Sequence, residues 1–397
     1  MPYYPLPIPS HVIDEIENEE RQMGVPEEEI ERWAGNRATI HGLCGPINAI
    51  YESGTPLFTK AAIRDLVREI DESGMRRIQT APLSLHFSIT GIDGRTVDFP
   101  IQLGVKHPLP PHWPQRADGS VLMDAMLFID LRPADYLTST AFINVHDFDH
   151  DKAFLPITVR AVPIPIHPGT GEPVPQPPLP RSAPETLATL QQAQAQWNSG
   201  AACRELVATL HSAAEARQAA GLAPLPHVDK VVAFACNQLS TTEDAGRVAA
   251  EHALVLSLRD FFTTHTQRRD PETAGVVRCY AQDPAYQDVD RAVLAEVGVT
   301  VLDHPRGFLE VDESAVVFSL APDVAVRQVV ADLARPAVMV WNRVREIPRE
   351  GDWVGRAERA DNISPRVEEM IKDYTEFPFP ADLAGFGSSL AIYVRNY

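Results

Sequence analysis

The amino-acid sequence predicts an α/β protein, with a Rossmann-like doubly wound parallel sheet in the C-terminal half and a strand-rich α+β region before it. Short apolar runs alternate with helix-like segments; the runs lie at residues 231–235, 276–280, 299–302, 315–320 and 337–341, and the helices at 244–262, 286–297 and 324–334. Uninterrupted apolar runs are typical of strands that are covered on both faces. Alternation of these runs with helices favours parallel strands joined by right-handed crossovers.

The first 165 residues carry a different pattern. An acidic, helix-like stretch over residues 10–35 fits a solvated helical face or a flexible arm. Thr59 is placed to cap a helix from Lys60 to about Glu72. Strands are expected at residues 83–90, 96–103, 125–131, 141–145 and 156–166, the first two joined as a hairpin through a glycine-containing turn.

Nine prolines fall between Pro163 and Pro184, which predicts an extended spacer without a helix or a strand ladder. Helices at residues 185–197 and 201–220 then lead into the first strand of the sheet. The sequence therefore predicts a mixed N-terminal region over residues 1–165, a proline-rich linker over 166–184 and the Rossmann-like domain over 185–397.

Composition narrows the class of protein. The 44% hydrophobic content is that of a globular chain, and the net charge of −19 disfavours broad binding to DNA. The four cysteines lie far apart, which disfavours a disulfide framework or structural zinc and fits a reducing compartment. No secretory signal is visible, and no apolar run approaches the roughly 20 residues that span a membrane. We therefore expect a cytoplasmic protein without a membrane partner.

The turn after the first strand argues against the common nucleotide cofactors. No glycine lies between Phe234 and Asp244, whereas dinucleotide and S-adenosylmethionine sites usually need a glycine-rich first loop. The sequence also lacks a phosphate-binding P-loop and the G-x-S-x-G elbow of serine hydrolases. We expect no cofactor.

Ser240 and Asn237, which follow the first strand, are the catalytic candidates. A helix expected to begin near Thr241 would aim backbone N–H groups at an oxyanion, and the Asn237 side chain could donate to a carbonyl or close the turn. Ser240, with Glu243 three residues later, equally fits an N-cap of that helix. Cys236 fits either a small core residue or a reactive thiol.

Acidic residues follow the second and third strands. Asp283, Asp303 and Glu310 are candidates for gripping a cationic group, because paired carboxylates match the geometry of a guanidinium. Helix capping is the alternative for Asp283 and Asp303. The His/Asp-rich segment over residues 146–151 fits a polar loop, and no metal site is assigned to it.

A local excess of positive charge lies after the fifth strand. Seven arginines stand against five acidic residues between Arg335 and Arg366. Ordinary surface ion pairs account for such a stretch, but phosphate contacts are the functional alternative. The candidates for binding tRNA phosphates are Arg343, Arg345, Arg349, Arg356 and Arg359.

Several segments together resemble the fungal branch of the "sensitivity to red light reduced"-like domain family. They begin at Lys230, Glu251, Tyr280, Asp303, Ala334 and Ile392, and the segment from Gly54 to Lys60 resembles the N-terminal part of those fungal proteins. The resemblance covers about residues 228–397. Plant and animal relatives are described as regulatory, which implies a non-catalytic regulatory or scaffold role.

The sequence is also similar to the fungal arginine-containing cyclodipeptide synthases. That resemblance implies an enzyme that condenses arginine and a second amino acid, delivered as aminoacyl-tRNAs, into a diketopiperazine. Ser240 corresponds to the serine nucleophile that bacterial cyclodipeptide synthases carry after an early strand, although its surroundings depart from their motif. The resemblance implies that arginyl-tRNA and a second aminoacyl-tRNA are the partners.

Overall fold

The computed structural model describes residues 10–75, 78–107, 121–137, 148–167, 169–174, 180–222, 224–269, 275–345, 361–380, 386 and 390–397. The chain divides into two compact units, one built mainly from Met1–Val174 and the other from Pro175–Glu346 and Asp361–Tyr397. The strand expected at residues 141–145 lies outside the described residues. In the part that the structure describes, no helix is long and apolar enough to cross a membrane.

The first unit begins with three helices: α1 (Ser10–Gln22), α2 (Glu27–Glu52) and α3 (Lys60–Glu72). Thr59 caps α3 as expected, since its side chain accepts a hydrogen bond from the Ala62 N–H. The acidic stretch is not wholly solvated, because Glu20 is buried and lies 3.0 Å from the Arg37 guanidinium. Separating this pair would leave two buried charges without partners, so the pair holds α1 against α2.

The strands of the first unit form two antiparallel sheets. Strands β1 (Leu83–Thr90) and β2 (Thr96–Leu103) make the predicted hairpin, and β3 (Lys106–His107), β4 (Val121–Leu131) and β5 (Ile157–Ile166) make a second sheet. A short helix, α4 (Ala134–Leu137), follows β4, and a 3-10 turn at His150–Lys152, capped by Asp149, precedes β5.

The strand predicted over residues 156–166 is confirmed, because β5 runs through Pro163 and Pro165 and ends at Ile166, where the predicted spacer begins. Among the described strands of its sheet β5 lies at the edge, where it pairs with β4 and makes an isolated bridge from Ile166 to Pro173. Prolines two residues apart lack N–H groups on one side of the strand only, and an edge strand tolerates that loss.

The second unit confirms the predicted parallel sheet. Its elements are α5 (Ala183–Ser199), α6 (Ala201–Ala219), β6 (Lys230–Phe234), α7 (Ala245–Arg269), β7 (Arg278–Gln282), α8 (Asp288–Glu296), β8 (Thr300–Val301), α9 (Gly307–Glu310), β9 (Ala315–Ser319), α10 (Val326–Leu333), β10 (Val338–Asn342), α11 (Pro365–Ile371), β11 (Tyr374–Pro378) and β12 (Leu390–Arg395). Strands β6 to β10 pair in parallel in the spatial order β8-β7-β6-β9-β10.

Two antiparallel strands extend this sheet beyond β10. Strand β12 pairs with β10, and β11 forms the outer edge. Strand β12 is almost wholly buried, whereas β11 is mostly exposed and ends in Pro378. That polar, half-exposed character explains why β11 does not resemble the apolar runs that predicted the other strands.

Side chains alternate between the two faces of the sheet. On one face, residues such as Val231, Val316 and Val340 pack with residues of α5, α6 and α7 in one hydrophobic core. On the other, the Phe234 ring stacks on Phe308 of α9 with the ring centroids 4.5 Å apart. Both faces are covered, as continuous apolar strands require.

Candidate functional site

The strand order reverses between β6 and β9. The chain runs from β6 outward through β7 to β8, then returns to β9 on the other side of β6 and continues to β10. At such a reversal the connections leave in opposite directions and open a crevice at the carboxyl ends of the two strands. We call this place the switch crevice; it is bordered by residues 235–240 after β6 and 320–323 after β9.

The backbone of the switch crevice is strained. Ala235, Asn237 and Ala321 adopt φ values of 57°, 62° and 47°. The left-handed conformation costs a residue other than glycine about 1–2 kcal/mol. Neighbouring strands hold both turns in place, because Asn237 N–H donates to Asp283 Oδ2 (2.7 Å) and Ala321 N–H donates to Asn342 Oδ1 (2.8 Å). Strain that neighbours hold in this way is characteristic of ligand sites.

The Asp283 carboxylate interacts electrostatically with Glu251 and with Asp323, and we call these three residues the carboxylate trio. Burial raises the pKa of Asp283, its two backbone N–H partners oppose the rise, and the charge of Asp323 adds to it. Burial raises the pKa of Glu251 to about 7, although the Arg247 guanidinium, 2.5 Å away, opposes this, and Asp283 adds to the rise. The trio thus concentrates negative charge that a cationic ligand would relieve.

A chain of hydrogen bonds lies beside the trio. The His252 Nδ1 lies 2.7 Å from the Val248 carbonyl oxygen, which can only accept, so Nδ1 carries the proton and Nε2 accepts from the Tyr286 hydroxyl at 2.9 Å. Burial lowers the pKa of His252 and raises that of Tyr286 well above its ordinary value. Burial also raises the pKa of Cys236, which is 1% exposed. This geometry favours the core role of Cys236 over that of a reactive thiol.

Ser240 lies in the turn after β6 and is fully buried. Its N–H donates to Asp290 Oδ1 (2.5 Å), its carbonyl oxygen accepts from Arg181 N–H (2.9 Å), and its hydroxyl oxygen accepts from Gln238 Nε2 (3.1 Å). Three hydrogen bonds therefore hold this turn in place. The Ser240 hydroxyl can attack a substrate only if the turn opens locally. The catalytic role of Ser240 stays a prediction.

The helix predicted over residues 244–262 begins at Ala245, not near Thr241 as the catalytic argument expected. Ser240 is therefore not its N-cap, and helical amides do not surround it. Asp244, with φ 49°, turns the chain just before the helix. Asn237, the second catalytic candidate, is exposed, and its side-chain oxygen accepts from the N–H of Gln238 at 2.7 Å. This hydrogen bond closes the turn, which is one of the two roles predicted for Asn237; its catalytic role stays a prediction.

The predicted carboxylates are only partly brought together. Asp283 borders the switch crevice, whereas Asp303 is exposed at the end of β8, on the far side of β7 from β6, and pairs with Arg291. Glu310 is the half-buried last residue of α9. Asp323 and Glu251, which the sequence analysis did not name as candidates, are the carboxylates that interact electrostatically with Asp283.

Two of the predicted tRNA-binding arginines are described. Arg343 Nε lies 2.9 Å from Glu376 Oε1, close enough for an ion pair although the N–H is not aligned on the oxygen. Arg345 is exposed just beyond β10. Arg349, Arg356 and Arg359 lie outside the described residues.

Comparison with known proteins bears on the second unit. No curated protein and no solved structure matches the chain. These comparisons give no support to a likeness to cyclodipeptide synthases. Residues 219–384 match the family model of the SRR1 domain, in agreement with the resemblance to the "sensitivity to red light reduced"-like family. The matched segment runs from the end of α6 to beyond β11, so the whole switch crevice lies within the region that matches the SRR1 domain.

Proposed function

We propose that this SRR1 domain is the catalytic part of an enzyme that makes an arginine-containing cyclic dipeptide from arginyl-tRNA and a second aminoacyl-tRNA. The observation that carries the proposal is the carboxylate trio at a strained switch crevice. Asp323 is exposed and Asp283 is half-buried, so negative charge extends from the rim inward, and the buried Glu251, with a pKa of about 7, adds to it when it is ionised. A guanidinium suits such a set, because carboxylates accept its planar N–H groups in pairs.

The form of the substrate fits a crevice without a glycine-rich loop. The left-handed positions after β6 and β9 carry alanine and asparagine side chains, which restrict the close approach of a pyrophosphate to the backbone. An aminoacyl-tRNA ester is already activated, so its condensation requires no ATP. The proposal therefore needs no nucleotide cofactor.

The chemistry consists of two acyl transfers. The amino nitrogen of one aminoacyl group attacks the ester carbonyl carbon of the other; a C–N bond forms, the C–O bond to the tRNA ribose breaks, and the ribose oxygen takes a proton. The second amine then attacks the remaining ester, which closes the ring and releases the second tRNA. Each attack benefits from a base, and a carboxylate with a pKa of about 7 is suited to accept a proton at neutral pH.

Two routes remain for the first acyl transfer. In the covalent route the arginyl group moves to the Ser240 hydroxyl, and the turn over residues 236–240 must open first because that hydroxyl is buried. In the direct route the two bound esters react with each other. Labelled arginyl-tRNA distinguishes them: the covalent route predicts an adduct that Ser240→Ala abolishes, and an adduct that survives the substitution eliminates Ser240 as the nucleophile.

The arginines after β10 would hold tRNA phosphates in this proposal. Charge-neutral substitution of Arg345, Arg349, Arg356 and Arg359 should weaken tRNA binding and flatten its dependence on salt. With fewer phosphates neutralised by arginine, fewer counterions are released from the tRNA when it binds. Arg343 should contribute less than Arg345, since Glu376 already neutralises it. An unchanged salt dependence would assign this stretch to ordinary surface charge.

The decisive experiment is expression in a bacterial host followed by mass spectrometry of the medium for cyclic arginine dipeptides. Asp283→Asn and Asp323→Asn should each lower the yield of the arginine product at least tenfold. Asp303→Asn is the matched control, because it removes the same charge outside the switch crevice. Equal losses in all three variants would show that the trio does not select arginine.

A second candidate is a non-catalytic regulatory domain that binds a cationic ligand in the same crevice. The burial of Ser240 and the SRR1 match favour it, since no opening of the turn is then needed. Folded protein that yields no product in the host or with purified charged tRNAs, yet binds arginine derivatives through Asp283, would establish this candidate.

A further inference from the structure

Two buried polar groups on the other face of the sheet have no hydrogen-bond partner within the described part of the chain. They are the Ser319 hydroxyl and the Trp341 indole N–H, both in side chains that are 1% exposed. More than nine in ten buried polar groups in proteins are hydrogen-bonded, so an adjacent pair without partners calls for an explanation.

The two residues are neighbours on the sheet. Ser319 ends β9 and pairs in register with Trp341 of β10 on one side and with Phe234 of β6 on the other. Residues in register on parallel strands direct their side chains to the same face. The Ser319 hydroxyl therefore stands in a strip between two aromatic side chains, at the edge of the sheet that forms the switch crevice.

The other polar groups in this row already have partners. Gln282 Oε1 accepts from Gly307 N–H (2.6 Å), and Gln282 Nε2 lies 3.1 Å from His304 Nδ1. The Tyr393 ring, whose centroid lies 6.3 Å from that of Trp341, belongs to the next pair along β10 and β12, and its hydroxyl accepts from Val344 N–H and donates to Glu376, each at 2.9 Å. Among these described residues, Ser319 and Trp341 are the ones with a buried polar atom that has no hydrogen-bond partner.

We propose that Ser319 and Trp341 bind a neutral carbonyl oxygen of the ligand that enters the switch crevice. Trp341 can only donate and Ser319 can donate as well, so the ligand must present an acceptor. Two arginines beside the end of β10 are already neutralised, because Arg327 Nε pairs with Asp361 Oδ2 at 2.8 Å and Arg343 pairs with Glu376. A carboxylate would find no free countercharge on these two arginines, whereas an ester or amide carbonyl needs none.

The test compares two probes that share a guanidinium and an amino group and differ in the carbonyl: arginine methyl ester, which has one, and agmatine, which lacks it. Only this choice of probes rests on the proposed function. Wild-type protein should bind the ester more tightly, and Ser319→Ala should reduce the preference for the ester about fivefold, the usual worth of one hydrogen bond. Trp341→Phe should reduce it similarly, and the ratio cancels losses common to both probes.

The unfolding stability of the variants tests the inference independently of any ligand. Because the Ser319 hydroxyl makes no hydrogen bond to the described protein, Ser319→Ala should leave the urea midpoint unchanged or raise it. Ser364→Ala is the matched control: Ser364 is equally buried, but its hydroxyl caps α11 by accepting from Val367 N–H. Its loss should raise the unfolding constant about fivefold and leave the probe preference unchanged.

The possible results distinguish a failure of this inference from a failure of the proposed function. If Ser319→Ala lowers the urea midpoint as Ser364→Ala does and leaves the preference unchanged, the hydroxyl is structural and the inference fails while the cationic crevice stands. If wild-type protein binds neither probe, the proposed function fails. The unfolding measurements then decide alone: a loss of stability in Ser319→Ala overturns the inference, and no loss retains it.

Discussion

The buried carboxylate Glu251 makes the sharpest prediction about this domain, because the stability of the protein should depend on its ionisation. Its side chain is 1% exposed, and burial raises its pKa from an ordinary 4.5 to about 7. One unit of pKa difference between the folded and unfolded states corresponds to about 1.4 kcal/mol. The difference of about 2.5 between these two pKa values therefore corresponds to about 3.5 kcal/mol of unfolding free energy.

The sign follows from counting protons. Between pH 4.5 and 7 the folded protein keeps a proton on Glu251 that the unfolded chain has released, so the unfolding free energy falls as pH rises. The penalty is absent below pH 4.5, grows through this window and is complete above about pH 7. Glu251→Gln cannot ionise, so the variant should lose this part of the pH dependence and keep the rest.

The assay is urea unfolding of both proteins at several pH values between 4.5 and 8. The difference in unfolding free energy, wild type minus Glu251→Gln, should decrease by about 3 kcal/mol across that range. Glu243→Gln is the matched control, since it makes the same change at an exposed position and should follow wild type within about 0.5 kcal/mol. A difference that stays flat with pH would refute the argument that Glu251 is held protonated by burial.

Three further substitutions test other parts of the structure by the same measurement. Asp312→Asn should cost about 2 kcal/mol, because it removes the carboxylate 2.6 Å from the buried Lys230 ammonium. Ala321→Gly should raise the unfolding free energy by up to about 1 kcal/mol through relief of the left-handed strain, and a loss would contradict that strain. Tyr286→Phe should cost about 1–2 kcal/mol because it leaves His252 Nε2 without its donor; no loss would mean that the bond contributes little.

The parallel sheet could be predicted because its strands carry their own signal. Strands β6 and β9 are five-residue runs with every residue buried, and helices separate the five parallel strands. The exposed strand β11 carries no such signal, and its place depends on pairing with β12. The start of α7 at Ala245 agrees with the helix predicted over residues 244–262. The earlier start near Thr241, which the capping pattern of residues 240–243 favoured, is wrong because a distant residue, Asp290, binds the N–H of Ser240 and keeps it in a turn.

A site residue could be predicted only where its position along the chain determines its place in the folded structure. Asp283 directly follows a buried strand, so the topology alone brings it to the crevice. Glu251 lies inside a long helix, and nothing local shows that this carboxylate is buried beside Asp283. The unpartnered hydroxyl of Ser319 is still less visible, because a missing hydrogen bond depends on every neighbour in the folded domain.

The two ends of the central strands differ in a way that the fold does not require. At the amino end of β6 the charges are paired: Lys230 lies 2.6 Å from Asp312, Asp229 lies 2.6 Å from Arg278, and the Ser314 hydroxyl donates to Asp229. At the carboxyl end the same strands carry left-handed alanines, carboxylates with raised pKa values and an unpartnered hydroxyl, each of which lowers stability. A single substitution, such as Ala321→Gly, would remove one of these costs, so the fold itself does not require them. That the costs collect at the crevice is the strongest physical argument that this edge of the SRR1 domain binds a ligand.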